Sequence, residues 1–119
     1  MSVWKLIIAF VVVASLMLPS HSPGQGKGVI KGTVRGGNTG QPIEGVEVSA
    51  LRKENGKFVR RGQGMTNQEG NYEISRLPAD SYKLRFDDRH GDYRTSEPNK
   101  MIEVRDNVEV FNYSMPLFY

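Results

Sequence analysis

The sequence predicts an all-β fold, a seven-stranded antiparallel β-sandwich of Greek-key type preceded by a signal-peptide helix. Three observations predict it. Turn-forming clusters recur about every 8–12 residues, the rhythm of a sandwich. Beyond the N-terminal apolar run no segment has helical periodicity. Two tyrosines, Tyr72 and Tyr82, each follow a sharp turn and open an alternating strand. A ring buried there, with its hydroxyl bonded to backbone at the corner, pins a strand of a sandwich.

Met1 to Leu18 carries Lys5 and then an apolar run from Leu6 to Leu18. A bilayer span needs roughly 20 apolar residues, so this run reads as a secretory signal, with cleavage after Ser20 or Gly24. The alternative is an uncleaved N-terminal anchor. The domain boundaries expected are residues 1–24 for the signal peptide and linker and residues 25–119 for one β-sandwich domain.

The first strand spans Val29 to Arg35, with Ile30 and Val34 on one face and Lys31, Thr33 and Arg35 on the other. Residues 36–40, Gly-Gly-Asn-Thr-Gly, form a turn of residues that tolerate positive φ. In the second strand Val46, Val48 and Ala50 alternate with Glu47, Ser49 and Leu51. Asn55-Gly56 marks a hairpin. The third strand, from Phe58 to about Thr66, contains Gly62 and Gly64, which predicts a bulge or an edge position. Tyr72 and Ile74 point inward on the fourth strand, and Tyr82, Leu84 and Phe86 on the fifth. A polar loop from Asp87 to Asn99 leads to the sixth strand, Met101 to Arg105. The last strand, Val108 to Met115, has apolar residues on both faces, so it carries a bulge or is covered on both sides.

The chain holds 16 Lys and Arg against 13 Asp and Glu, a formal charge of +3. The basic residues are interleaved with acids, so no nucleic-acid partner is expected. There is no cysteine, which excludes disulfides, thiol chemistry and cysteine metal sites.

Four motifs in order carry a family resemblance: VIKGTVRGGNTGQPIEGVEVSA (29–50), TNQEGNY (66–72), LPADSYKLRF (77–86) and the closing alternating strand. The chain resembles the carboxypeptidase regulatory-like domain, within the transthyretin-like and Cna-B-like β-sandwiches. The resemblance implies a prealbumin- or immunoglobulin-like sandwich in which Gly45, Gly70, Tyr72, Leu77 and Tyr82 are structural. Asn67 stands where the family usually has Asp, and Asp80 where it has Gly. Both replacements tolerate left-handed backbone. Some Cna-B-type domains form a Lys–Asn crosslink. Asn112 sits where the acceptor would be, but Val34 and Phe86 occupy the places of the lysine and the acid, so Asn112 reads as a strand or edge residue. Metallocarboxypeptidases carrying this domain keep their zinc ligands in a separate catalytic domain.

Chemistry-bearing residues gather in one loop. His90 has no marked nucleophile beside it, so no enzymatic activity and no cofactor are expected. Asp87, Asp88 and Asp92 are a weak calcium candidate whose spacing is not that of an EF-hand and whose neighbours Arg89 and Arg94 oppose a cation. Tyr93, with Arg89 and His90, is the candidate ligand-binding group; Phe58 and Phe118-Tyr119 are further aromatic platforms, with Phe58 read first as a packing residue and Phe118-Tyr119 as a cover for a sheet face. The expected function is a non-catalytic secreted or periplasmic module for protein or cell-envelope binding or structural support, acting through loops or the glycine-weakened third strand. The alternative is a carbohydrate-binding module using loop aromatics such as Tyr93. No stable membrane span is expected once the signal is removed.

Overall fold

The computed structural model describes residues 26–117, so the expected signal peptide, its cleavage site and Phe118-Tyr119 lie outside the described residues. The described residues form eight strands and no helix: β1 (Gly28–Gly36), β2 (Val46–Glu54), β3 (Lys57–Met65), β4 (Asn71–Leu77), β5 (Asp80–Asp88), β6 (Met101–Val104), β7 (Val108–Val110) and β8 (Tyr113–Met115). One sheet has the order β4-β1-β7, with β8 also on β1, and the other β3-β2-β5-β6. The two inner faces bury Ile30, Val34, Ile74, Val46, Val48, Leu84, Phe86 and Val104 against one another, so the chain is an all-β sandwich. Phe86 lies at the centre. Tyr113 stacks on it at 4.4 Å between ring centroids, and Tyr72 meets it edge-on at 6.0 Å. Aromatic contacts of this kind add about 0.5–1.5 kcal/mol each beyond simple burial.

Two details differ from the expected seven antiparallel strands. β1 pairs β7 and β8 in parallel, because the chain reaches its end by crossing from one sheet to the other and returns alongside its own first strand. The last strand is also divided in two. Its register nevertheless runs unbroken, since Lys31↔Val110 and Val34↔Tyr113 keep the same offset. The interruption is a local exchange of hydrogen-bond partners. The Phe111 carbonyl accepts the Tyr72 hydroxyl at 2.6 Å, and the Thr33 N–H donates instead to Asn112 Oδ1 at 2.9 Å. Gly32 lies directly beneath that carbonyl, and a methyl group there would overlap its oxygen. Asn112 therefore completes the ladder with its side chain. The last strand carries no bulge, and its second apolar face is open, with Val108 and Val110 exposed.

β3 is an edge strand, and it also bulges. Ala50 faces Gly62 while Leu51 faces Arg60, which leaves Arg61 unpaired. The two glycines have a second cause. Gly62 lies against the Ile74 and Leu77 side chains and Gly64 against the Glu73 backbone, so β3 closes over β4 where the sheets meet. β4 changes phase near its end. Arg76 adopts φ 60°, the register slips opposite Gly28 and Ile30, and Leu77 turns into the core three residues after Ile74.

Candidate functional site

The turn before β4 is built by Asn67, whose Oδ1 accepts the Glu69 and Asn71 N–H groups while Gly70 takes φ 77°. The next corner is closed by Tyr82, whose hydroxyl donates to the Pro78 carbonyl at 2.6 Å. Tyr72 bonds the last strand and leaves its own corner to Asn67. Burial disfavours the phenolate of both, which pushes their pKa above the ordinary tyrosine value. Leu77 is buried, and Gly45 adopts φ 82° at the entry to β2.

The loop after β5 is organised by one carboxylate. Asp88 is buried, and its two oxygens accept the N–H groups of His90, Asp92 and Tyr93 at 3.0, 3.0 and 3.1 Å. These bonds use three of the carboxylate's roughly four lone-pair positions. Asp87 turns to the Thr95 hydroxyl instead. Among the described residues no group of three or more acidic or imidazole side chains is placed to hold a metal ion. The spacing Asp88…Gly91 is the sequence signal for this turn, because a short acid caps amides just ahead of it, here two, four and five residues on.

The three candidate ligand-binding residues of the loop diverge. Tyr93 is half-buried against the core beside Gly36, and its hydroxyl donates to Asn38 Oδ1 at 3.1 Å. The His90 ring lies over Gly45, where an added methyl would approach Nε2 to 2.8 Å. Only Arg89 reaches a broader surface, by pairing with Glu47 at 3.7 Å.

That surface is the outer face of the β3-β2-β5-β6 sheet. Its floor is Ser49 and Leu51, both buried beneath longer neighbours. Phe58 stands at one side with 42% of its surface exposed, and Lys83 Nζ sits 4.8 Å from its ring centroid. Arg60 joins Arg89 on Glu47 at 3.7 Å, while Glu97 holds Lys83 at 3.1 Å and Arg85 at 3.9 Å. A shallow cleft of about 440 Å³ opens between Phe58, Arg60, Arg85 and Asp87. The sequence puts Glu47, Ser49 and Leu51 outward and reads Phe58 first as a packing residue, with an aromatic platform as its second reading; the ring stands 42% exposed. The sequence does not bring Arg60 and Arg85 to them, because that needs the cross-strand registers Ser49↔Arg85 and Leu51↔Arg60.

A second charged cluster lies beyond the core at the inner side of the β2–β3 hairpin. Glu54 accepts Arg52 at 2.9 Å and is also held by Arg61, the unpaired residue of the β3 bulge. Hydrogen bonds from Arg61 and then Arg52 hold its carboxyl down to about 2 from the usual 4.5.

Residues 29–115 match the family model of the carboxypeptidase regulatory-like domain. No curated protein matches the sequence. Several solved structures share the fold. One is a chain of a type II cohesin–X-dockerin complex from Acetivibrio cellulolyticus, with 19% identity, TM-score 0.54, and 75% of this chain covering 55% of that one. Another is a Bacteroides uniformis protein with a proposed carbohydrate-binding role, at 20% identity and TM-score 0.54, with coverage of 76% and 41%. A third is the major pilin subunit of Bacillus cereus, at 15% identity and TM-score 0.50, with coverage of 77% and 30%. The chain thus spans 55% or less of the length of each.

Proposed function

Given that this chain belongs to the carboxypeptidase regulatory-like domain family, we propose that it is a non-catalytic, exported binding module that engages a protein of the cell envelope through the outer face of the β3-β2-β5-β6 sheet. The observation that carries this reading is Phe58, a large aromatic left exposed beside Leu51 and set among Arg60, Arg85 and Lys83. An aromatic and arginines around an apolar floor are the composition of an interface centre. The pairs made by Arg60 and Arg85 are long and their guanidinium side chains are exposed, so they contribute little to the fold and are free to exchange for a partner's charges. Secretion or a periplasmic location is supported by the apolar leader of the sequence, and no helix among the described residues is long and apolar enough to cross a membrane. A carbohydrate-binding role centred on Tyr93 has less support, because that ring packs on the core and its hydroxyl is held by Asn38.

The test is site-specific photo-crosslinking in the full-length protein with isolated cell envelopes. A benzophenone placed at Phe58 should give a discrete protein adduct, whereas one at the exposed Gln68 should not. Arg60→Glu with Arg85→Glu should abolish the adduct. Equal labelling from both positions, or none from Phe58, refutes the assignment.

A further inference from the structure

We propose that a cleft on the outer face of the β4-β1-β7 sheet binds an acidic saccharide, through amide nitrogens that the scaffold itself does not use. The cleft has a volume of about 630 Å³, and Lys31, Met65, Asn67, Glu73, Val110 and Asn112 lie around it. It has no lining residue in common with the cleft beside Phe58, and Met65, at the end of β3, is the one contribution from the other sheet.

Two of its asparagines are fixed in orientation by the backbone. Asn112 Oδ1 accepts the Thr33 N–H at 2.9 Å, and Asn67 Oδ1 accepts the N–H groups of Glu69 and Asn71 at 3.1 and 3.0 Å. A backbone N–H requires an oxygen opposite it, so each Nδ2 points away from these contacts. Neither Nδ2 has an acceptor among the described residues. An aspartate at either position would take the same backbone bonds at least as strongly, because its acceptor is charged. The fold therefore needs two oxygens here and leaves two N–H₂ groups over. Lys31, exposed on β1 in the same cleft, adds an ammonium that only donates.

Such a set of donors calls for a ligand richer in acceptors than in donors, and a carboxylate is the simplest. Glu73 lies opposite Lys31 in the β1–β4 register and supplies an acceptor for neighbouring hydroxyls. Val110 and Met65 are 63% and 53% exposed and give apolar contact for the C–H face of a sugar ring. A peptide strand fits less well. β1 is paired on both sides, β4 is covered by β3 where Gly64 meets the Glu73 backbone, and the edge left open beside the cleft is the three-residue β7, too short to seat a peptide strand. Recognition there must come from side chains, which suits a hydroxylated ring bearing a carboxylate.

The experiment is calorimetric titration of the full-length protein with a galacturonate tetrasaccharide and with its methyl ester. The acid should bind, and the ester should bind about tenfold more weakly or worse, as expected when charge-assisted hydrogen bonds are lost. The double variant Asn67→Asp with Asn112→Asp keeps both backbone acceptors, so its thermal midpoint should hold while binding falls by at least about tenfold. Lys31→Met should weaken the acid and leave the ester unchanged. Equal affinity for acid and ester, unchanged binding by the folded double variant, or no binding of the acid at millimolar concentration overturns the proposal. A peptide with a free C-terminal carboxylate that binds more tightly than the saccharide also overturns it, in favour of a protein ligand. Phe58→Ala should leave this titration unchanged, so failure here and failure of the envelope-protein interface are separately visible.

Discussion

Tyr82 and Tyr72 carry the same side chain at similar places and do different work. The Tyr82 hydroxyl reaches Pro78, four residues back along the chain. The Tyr72 hydroxyl reaches Phe111, in the last strand. Replacing either with Phe removes one partly buried hydrogen bond and strands a carbonyl, at a cost of about 1–2 kcal/mol. Urea unfolding should register a loss of that size for each. Hydrogen exchange should then separate them, since only Tyr72→Phe should speed exchange of the Phe111 and Thr33 amides. A loss below the error of the measurement for both variants would remove the hydroxyls from the account. The contrast also explains what the sequence made legible. The Tyr82 contact is local and follows from its motif. The Tyr72 contact depends on a strand that lies beside β1 only after the whole chain has folded, and no local pattern signals it. The same holds for Asp88, whose position is readable from its spacing to Gly91, and for Arg60 and Arg85, which the registers of three strands must bring together.

The β2–β3 hairpin shows how a bulge can be put to use. The extra residue in β3 is Arg61, and it turns onto Glu54 beyond the end of the apolar core. Gly62 and Gly64 predicted a bulge or an edge, and β3 has both features. The partner of Arg61 was not legible, because it depends on which way the bulge aims the side chain. Glu54 is held at about 2, below its usual 4.5, so its contribution is fully present above about pH 4.5. It is lost as the pH falls from there through about 2. Solvent screening keeps this contribution small. The thermal midpoints of the native protein and Glu54→Gln should differ most near neutrality and converge toward pH 2. A difference that stays constant across that range would exclude the ion cluster as its source. The last strand was legible in its alternation but not in its direction. Val108, Val110, Phe111 and Tyr113 read as two apolar faces, and only the parallel pairing with β1 assigns one of them to solvent.

Across the sandwich, β1, β2 and β5 are each paired on both sides, whereas β7 is a three-residue edge with Val108 and Val110 open to solvent. Amide exchange should therefore be slowest in the centres of β1, β2 and β5 and fastest, among the strands, in β7. Uniform protection across all strands would mean that the edges are covered in solution. The fold class was legible because it depends on alternation and turns, which are local. The two candidate surfaces were less so, because each gathers side chains from three or more separated segments. The parallel pairing of the first strand with the last has a further consequence. A chain delivered from its N-terminus cannot seat β1 in the middle of its sheet until residues 108–115 have arrived. Contacts this distant in sequence make for slow closure. During synthesis the emerging polypeptide thus stays open along one side of β1, and it closes only once residues 108–115 have appeared.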